Sequence, residues 1–268
     1  MTEHPQPSPS DSGKIMVKIL GGSAILFAIL ESGLLWLAPR LDQTWAAIIA
    51  TTVMLGVALF FEKIFFGLNP LKALRGLGYG PWNTRAVLVA VIIAASVQLF
   101  YPIVRMATGA QITLKADWLW LLLGSIVLNG LAEETLFRGY IFGGLRQKTG
   151  LSFRRAGWIS MAVFAAIHLF LFIGNPPFVP ILGALVAMAA AFPMAYLFER
   201  GNNTIWASAV LHISSQTIRF VDISEPYYVT VAALWLVLQM GAVFLVYLFL
   251  GNLLKPAQEV KTSVAPSG

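Results

Sequence analysis

Long runs of apolar residues, broken by short polar connectors, dominate the chain from residue 15 to residue 250. A helix rises about 1.5 Å per residue, so roughly 20 apolar residues cross a 30 Å hydrocarbon layer. That rule predicts eight spans: Ile15–Ala38, Trp45–Phe61, Ala86–Met106, Trp118–Gly143, Gly157–Ile173, Phe178–Phe198, Asn203–Ile218 and Tyr228–Leu250. The fifth and seventh are the shortest. Gly-Asn-Pro-Pro at 174–177 and Gly-Asn-Asn at 201–203 punctuate them as turns. Between Glu62 and Arg85, Phe65, Phe66, Leu68, Leu71 and Leu74 alternate with Lys63, Lys72 and Arg75, which predicts a short interfacial amphipathic helix.

This pattern makes the chain an all-α polytopic membrane protein, with a tail over 1–13, one transmembrane domain over 14–254 and a second tail over 255–268. Both tails read as disordered from their Pro and Ser content. The first run is longer than a signal-peptide core and reads as a retained anchor. Composition agrees: 58% of the 268 residues are hydrophobic and only 11% charged, against about 25% charged in soluble domains. The absence of cysteine excludes disulfides, thiolate metal sites and a Cys nucleophile. A net charge of +6 would fit nucleic acid, but the basic residues lie between apolar runs, where topology and lipid head groups account for them.

Charge placement also orients the chain. Of 18 Lys and Arg, Arg138 lies deep within a span, four (Arg40, Arg105, Lys115 and Arg219) fall on one side and the other thirteen on the opposite side. By the positive-inside rule, both termini are cytoplasmic. A bacterial plasma (inner) membrane is the expected location.

Ionisable groups inside spans cost about 2.5 kcal/mol or more each and mark functional sites. Away from the ends of the predicted spans these are Glu31, Glu133, Glu134, Arg138, His168 and His212. Glu134 and Arg138 stand one helical turn apart and pair; Glu133, rotated about 100° away, is left over. Two readings follow: structural salt bridges between helices, or Glu133 as a general base. His168 and His212 on apolar helices read equally as packed core residues or as catalysts, and His212 with Gln216 as a helix-packing pair or a functional one. Depth favours function. Glu133 lies about thirteen residues from Arg146, His168 about eleven from Gly157 and His212 about nine from Asn203, or roughly 14–20 Å below the inner surface.

Glu133-Glu134-Thr-Leu-Phe-Arg138, Phe164-Ala-Ala-Ile-His168 and His212-Ile-Ser-Ser-Gln216 resemble the signatures Glu-Glu-x-x-x-Arg, Phe-x-x-x-His and His-x-x-x-Asn of the CPBP family. That family comprises the type II CAAX prenyl endopeptidases and the bacterial bacteriocin-processing and immunity (Abi) proteins. The resemblance covers about residues 115–220. It implies an eight-helix intramembrane protease with a conical cavity open to the cytosol. Glu133 and His168 would polarise a water, and His212 with Gln216 would stabilise the oxyanion. Glu134 and Arg138 would hold the helix and orient Glu133, with Phe164 supporting. Gln216 departs from the family's Asn by one methylene. The resemblance implies no cofactor; zinc, from a carboxylate and two histidines, ranks second. A peptide or membrane-protein substrate and the bilayer are the expected partners, and no nucleic acid. Two other classes stay open: a non-catalytic immunity or scaffold protein, and a proton-coupled transporter.

Overall fold

A computed structural model describes residues 9–168 and 178–253 of the chain. Twelve α-helices among these residues run α1 (Pro9–Leu37), α2 (Gln43–Phe66), α3 (Pro70–Gly76), α4 (Thr84–Gln98), α5 (Phe100–Thr108), α6 (Trp118–Ser125), α7 (Gly144–Thr149), α8 (Phe153–His168), α9 (Phe178–Arg200), α10 (Trp206–Ser215), α11 (Tyr228–Ala242) and α12 (Leu245–Leu253). Between α6 and α7 the backbone stays helical but widens into two π-helical stretches, Ile126–Glu133 and Thr135–Gly143. The whole of Trp118–Thr149 is therefore one continuous rod.

Six helices among the described residues are long and apolar enough to cross a membrane: Ser10–Leu37, Gln43–Phe66, Thr84–Thr108, Trp118–Thr149, Ile181–Arg200 and Tyr228–Gly251. The chain is an all-α polytopic membrane protein. The expected seventh span, Asn203–Ile218, is shorter: Asn202 and Asn203 sit at positive φ, α10 begins at Trp206 and ends at Ser215. The predicted fifth span runs past His168 into residues outside the description, as do the tail segments 1–8 and 255–268. Within the predicted N-terminal tail, residues 9–13 already belong to α1.

Helix boundaries follow from local chemistry. Asp42 caps α2 by accepting from the Thr44 and Trp45 amides at 2.8 and 3.0 Å, and Gly67 closes it at φ 67°. Asn69 accepts from the Lys72 amide, with Pro70 at the first helical position of α3. This short helix lies within the stretch read as an interfacial amphipathic segment. Asn83 caps α4 in the same way. The α2 helix continues past Phe61, so Glu62, read from the sequence as a connector residue, is 1% exposed and paired with Lys148 at 2.5 Å.

Two apolar clusters divide the bundle. One gathers α1, α2, the long rod, α8 and one face of α9; the other gathers α4, the rest of α9 and α10 to α12. Helix α10 packs against α4 and against the first π-stretch, so it lies along the seam. At one end, two β-strands absent from the sequence reading, β1 (Ile112–Leu114) and β2 (Val221–Ile223), pair antiparallel with Thr113 opposite Asp222. Each strand holds two β-branched residues, Ile112 and Thr113 in one and Val221 and Ile223 in the other, and each lies just outside an apolar run, too short to register as periodicity. The ribbon ties the entry of the rod to the exit of α10, and Lys115 N–H adds a bond to Phe220 O at 3.0 Å.

On the rod's other flank, the loop 77–80 presses against the second π-stretch. Tyr79 and Thr135 hydroxyls share a 2.7 Å hydrogen bond; burial pushes the Tyr79 phenol up, which keeps it protonated. A Cβ placed on Gly139 would lie 2.2 Å from the Leu77 carbonyl oxygen, so only glycine admits this approach. Gly139→Ala is therefore expected to destabilise the fold by about 1–3 kcal/mol, the range for an overpacked site. Unfolding in mild detergent would read this, and an unchanged midpoint would show that the Leu77 backbone yields freely.

Candidate active site

The acidic pair sits where the rod is widest. Glu133 ends the first π-stretch, Glu134 joins the two, and Arg138 falls within the second. In a π-turn each N–H reaches the fifth preceding carbonyl, which repositions side chains relative to an α-helix, and such stretches concentrate at functional sites. Small residues at Gly130, Ala132, Gly139, Gly143 and Gly144 let neighbouring helices approach this wider coil.

Glu134 is completely buried and Arg138 is 3% exposed; their Oε1–Nη1 distance is 3.0 Å, the pair expected from the spacing. The same Oε1 receives His212 Nδ1 at 2.7 Å from α10. An ionised carboxylate only accepts, so Nδ1 carries the proton of that bond. The imidazole is thereby fixed in rotation, with Nε2 turned 3.6 Å from Glu133 Oε2. A buried acid that orients a histidine in this way is a recurring arrangement in hydrolytic sites. The Arg138 guanidinium lies 5.1 Å from the centre of the Phe164 ring, and that ring packs 4.2 Å from Phe137, so α8 braces the pair.

Glu133 is held from another direction. Asn129 Nδ2 donates to its Oε1 at 2.8 Å, and Ser125 Oγ donates to Asn129 Oδ1 at 3.0 Å. These three form a ladder at four-residue intervals on one face of the rod. The expectation that Glu134 and Arg138 orient Glu133 is thus revised: Glu134 and Arg138 orient His212, while Asn129 orients Glu133. Glu133 is also closer to a basic group than the reading of an unpartnered acid allowed, because α10 brings His212 alongside.

Gln216 follows the last residue of α10, where its backbone turns into a single 3-10 turn, Thr217–Phe220. Its side-chain amide donates to Ser215 Oγ at 3.2 Å. Glu133, Arg138, Phe164, His212 and Gln216 all border one cavity of about 600 Å³. The side chain of His168 lies outside the described residues; its backbone ends α8 one turn after Phe164. Glu31 remains outside the cavity lining but near enough to Glu133 for their charges to interact. Among the described residues no three His, Cys, Asp or Glu side chains are grouped as a metal site.

Sequence reasoning passed over Asn129, whose spacing from Ser125 and Glu133 was the available signal. It also passed over Gln239 on α11, a cavity-lining amide in an otherwise apolar run.

Removing Arg138 strands Glu134 in the interior. Arg138→Met is expected to cost about 3–5 kcal/mol, the usual penalty for a buried charge left without its partner. Equilibrium unfolding of the purified protein would measure it; a loss below 1 kcal/mol would mean that His212 alone compensates Glu134.

No curated protein and no solved structure matches the chain. Residues 115–218 match the family model described as type II CAAX prenyl endopeptidase Rce1-like. The matched segment contains Glu133, Glu134, Arg138, Phe164, His168, His212 and Gln216, so the part of the chain that builds this site is similar to the Rce1-like protease family.

Proposed function

We propose that the protein is an intramembrane endopeptidase that hydrolyses a peptide bond with water activated by Glu133 and His168. The observation that carries this reading is the meeting of Glu133 and His212 Nε2, 3.6 Å apart, on a polar wall of a largely apolar cavity within a membrane bundle. Water loses a proton to Glu133 as its oxygen attacks the scissile carbonyl carbon. His212, in its imidazolium form, donates from Nε2 to the resulting oxyanion, and the Gln216 amide donates beside it. Collapse of the intermediate breaks the C–N bond, and Glu133 returns the proton to the leaving amine. His168 enters by its place in the Phe-x-x-x-His motif. Glu134 and Arg138 take no proton; through Glu134 they hold the His212 ring in the orientation that the step needs.

The topology that suits this reading has eight crossings, with α8 and α10 belonging to the fifth and seventh, and both termini cytoplasmic in a bacterial inner membrane. The uneven distribution of Lys and Arg supports that orientation. A peptide or membrane-protein segment is the substrate. Gln216 in place of the family's Asn favours one second reading, a non-catalytic immunity or scaffold protein built on the same site.

Glu133→Gln is expected to abolish cleavage while leaving insertion and melting behaviour intact, read by comparing the peptides in membranes that contain parent or variant. Unchanged peptide profiles would refute the protease and favour the scaffold. Gln216→Leu is expected to lower kcat by about 10²–10³, the loss typical of one oxyanion donor, whereas Gln216→Asn keeps activity. Activity that survives a strong chelator is the outcome expected of a glutamate-activated water; loss restored by Zn²⁺ alone would move zinc to first place.

A further inference from the structure

The wall of the cavity that faces the acidic rod is built from α4, α9 and α11, and it is almost wholly apolar. Along α11 the lining residues Leu236, Gln239, Met240 and Val243 recur at helical spacing, so one face of this helix is turned to the cavity. Gln239 is the only polar member of that stripe. Its Nε2 is buried and has no hydrogen-bond partner among the described residues. An amide in that condition costs free energy wherever it is buried, and within a membrane span it marks a functional position.

Its height along the bundle can be fixed. Trp235, one turn earlier on α11, donates from Nε1 to the Ser215 carbonyl at 3.2 Å. Ser215 adjoins Gln216 and lies three residues beyond His212. Helix α10 leads into β2, and α11 starts after it, so moving along α11 from Trp235 follows α10 backwards from Ser215 towards His212. Gln239 therefore lies one turn from Trp235 in the direction of His212, and Gln239 and His212 line the same cavity.

A peptide drawn into such a cavity brings backbone N–H and C=O groups that cannot be left unpaired in apolar surroundings. The rod and α10 supply polar partners on one side only. We propose that Gln239 is the opposing partner, a substrate-positioning residue whose amide donates to a backbone carbonyl, and accepts from a backbone N–H, of an extended peptide beside the scissile bond. This inference rests on the protease reading and names what the site grips: main chain, independent of side-chain identity. Such a residue binds ground state and transition state alike, so its loss raises KM and spares kcat.

The test uses full-length protein in detergent and a pool of quenched-fluorescent peptides, with and without a farnesylated Cys near the C-terminus. For Gln239→Leu, KM is expected to rise about tenfold, the size of one hydrogen bond. Its kcat should stay near that of the parent, and its melting temperature should hold or rise because an unpaired buried amide is removed. Gln239→Asn, which keeps the amide, should recover part of the loss. A parental KM, or a lowered melting temperature with reduced kcat, overturns the inference and assigns Gln239 to packing. Glu133→Gln separates this failure from that of the protease reading: cleavage that survives in Glu133→Gln sinks the reading, whatever Gln239→Leu does. Where no peptide is turned over, fluorescence polarisation of the same peptides on the Glu133→Gln background decides. Tenfold weaker binding with Gln239→Leu supports the inference; equal binding, or none to either protein, overturns it.

Discussion

One carboxylate organises the centre of this molecule. Glu134 has no exposure, and it is tolerated because Arg138 meets it from its own helix and His212 from another. A lone buried charge in such surroundings would cost several kcal/mol, so the three groups stand or fall together. Two helices from different apolar clusters are thereby locked in rotation and height. The rod belongs to the first cluster, α10 packs along the seam, and the shared oxygen of Glu134 is their point of registration. Everything chemical about the cavity depends on that alignment, because it decides where His212 directs its second nitrogen.

The neighbouring acid is treated differently. Glu133 is anchored by a neutral amide and retains 23% exposure of its side chain. Two adjacent glutamates thus live in separate environments, one neutralised by cations and sealed, the other lightly held and open to the cavity. Such a division of labour between paired carboxylates is how hydrolytic sites separate a structural role from a reactive one. The braces behind it are apolar and aromatic. Phe164 lies against Arg138 and Phe137, so α8, which carries the Phe-x-x-x-His motif, contributes packing to the ion pair.

Much of this was legible in the sequence. Apolar run length located the principal helices, and scarcity of charge inside them pointed at Glu133, Glu134, Arg138 and His212. Four-residue spacing gave the Glu134–Arg138 pair. What spacing along one helix cannot express is contact between helices: His212 on Glu134, and Lys148 on Glu62, join residues 78 and 86 positions apart. The π-winding was equally hidden, since the same apolar composition suits either coil and the difference lies in which carbonyl each N–H selects. Glu62 was misplaced because a charge ordinarily signals the end of a span, whereas here a distant lysine neutralises it inside one. Asn129 and Gln239 were passed over for a simpler reason: an amide bears no charge and does not interrupt an apolar run.

The widened winding of the rod has a geometric consequence. A helix coiled more broadly climbs less for every residue added, so the 32 residues of Trp118–Thr149 occupy less height than the same number wound as an α-helix. The bundle gains extra positions at mid-depth without lengthening the crossing. Arg146 and Lys148 consequently remain level with Glu199 and Glu62, at the ends of α9 and α2, instead of being pushed out beyond them. Surplus chain is stored as girth, and the girth is where the carboxylates reside.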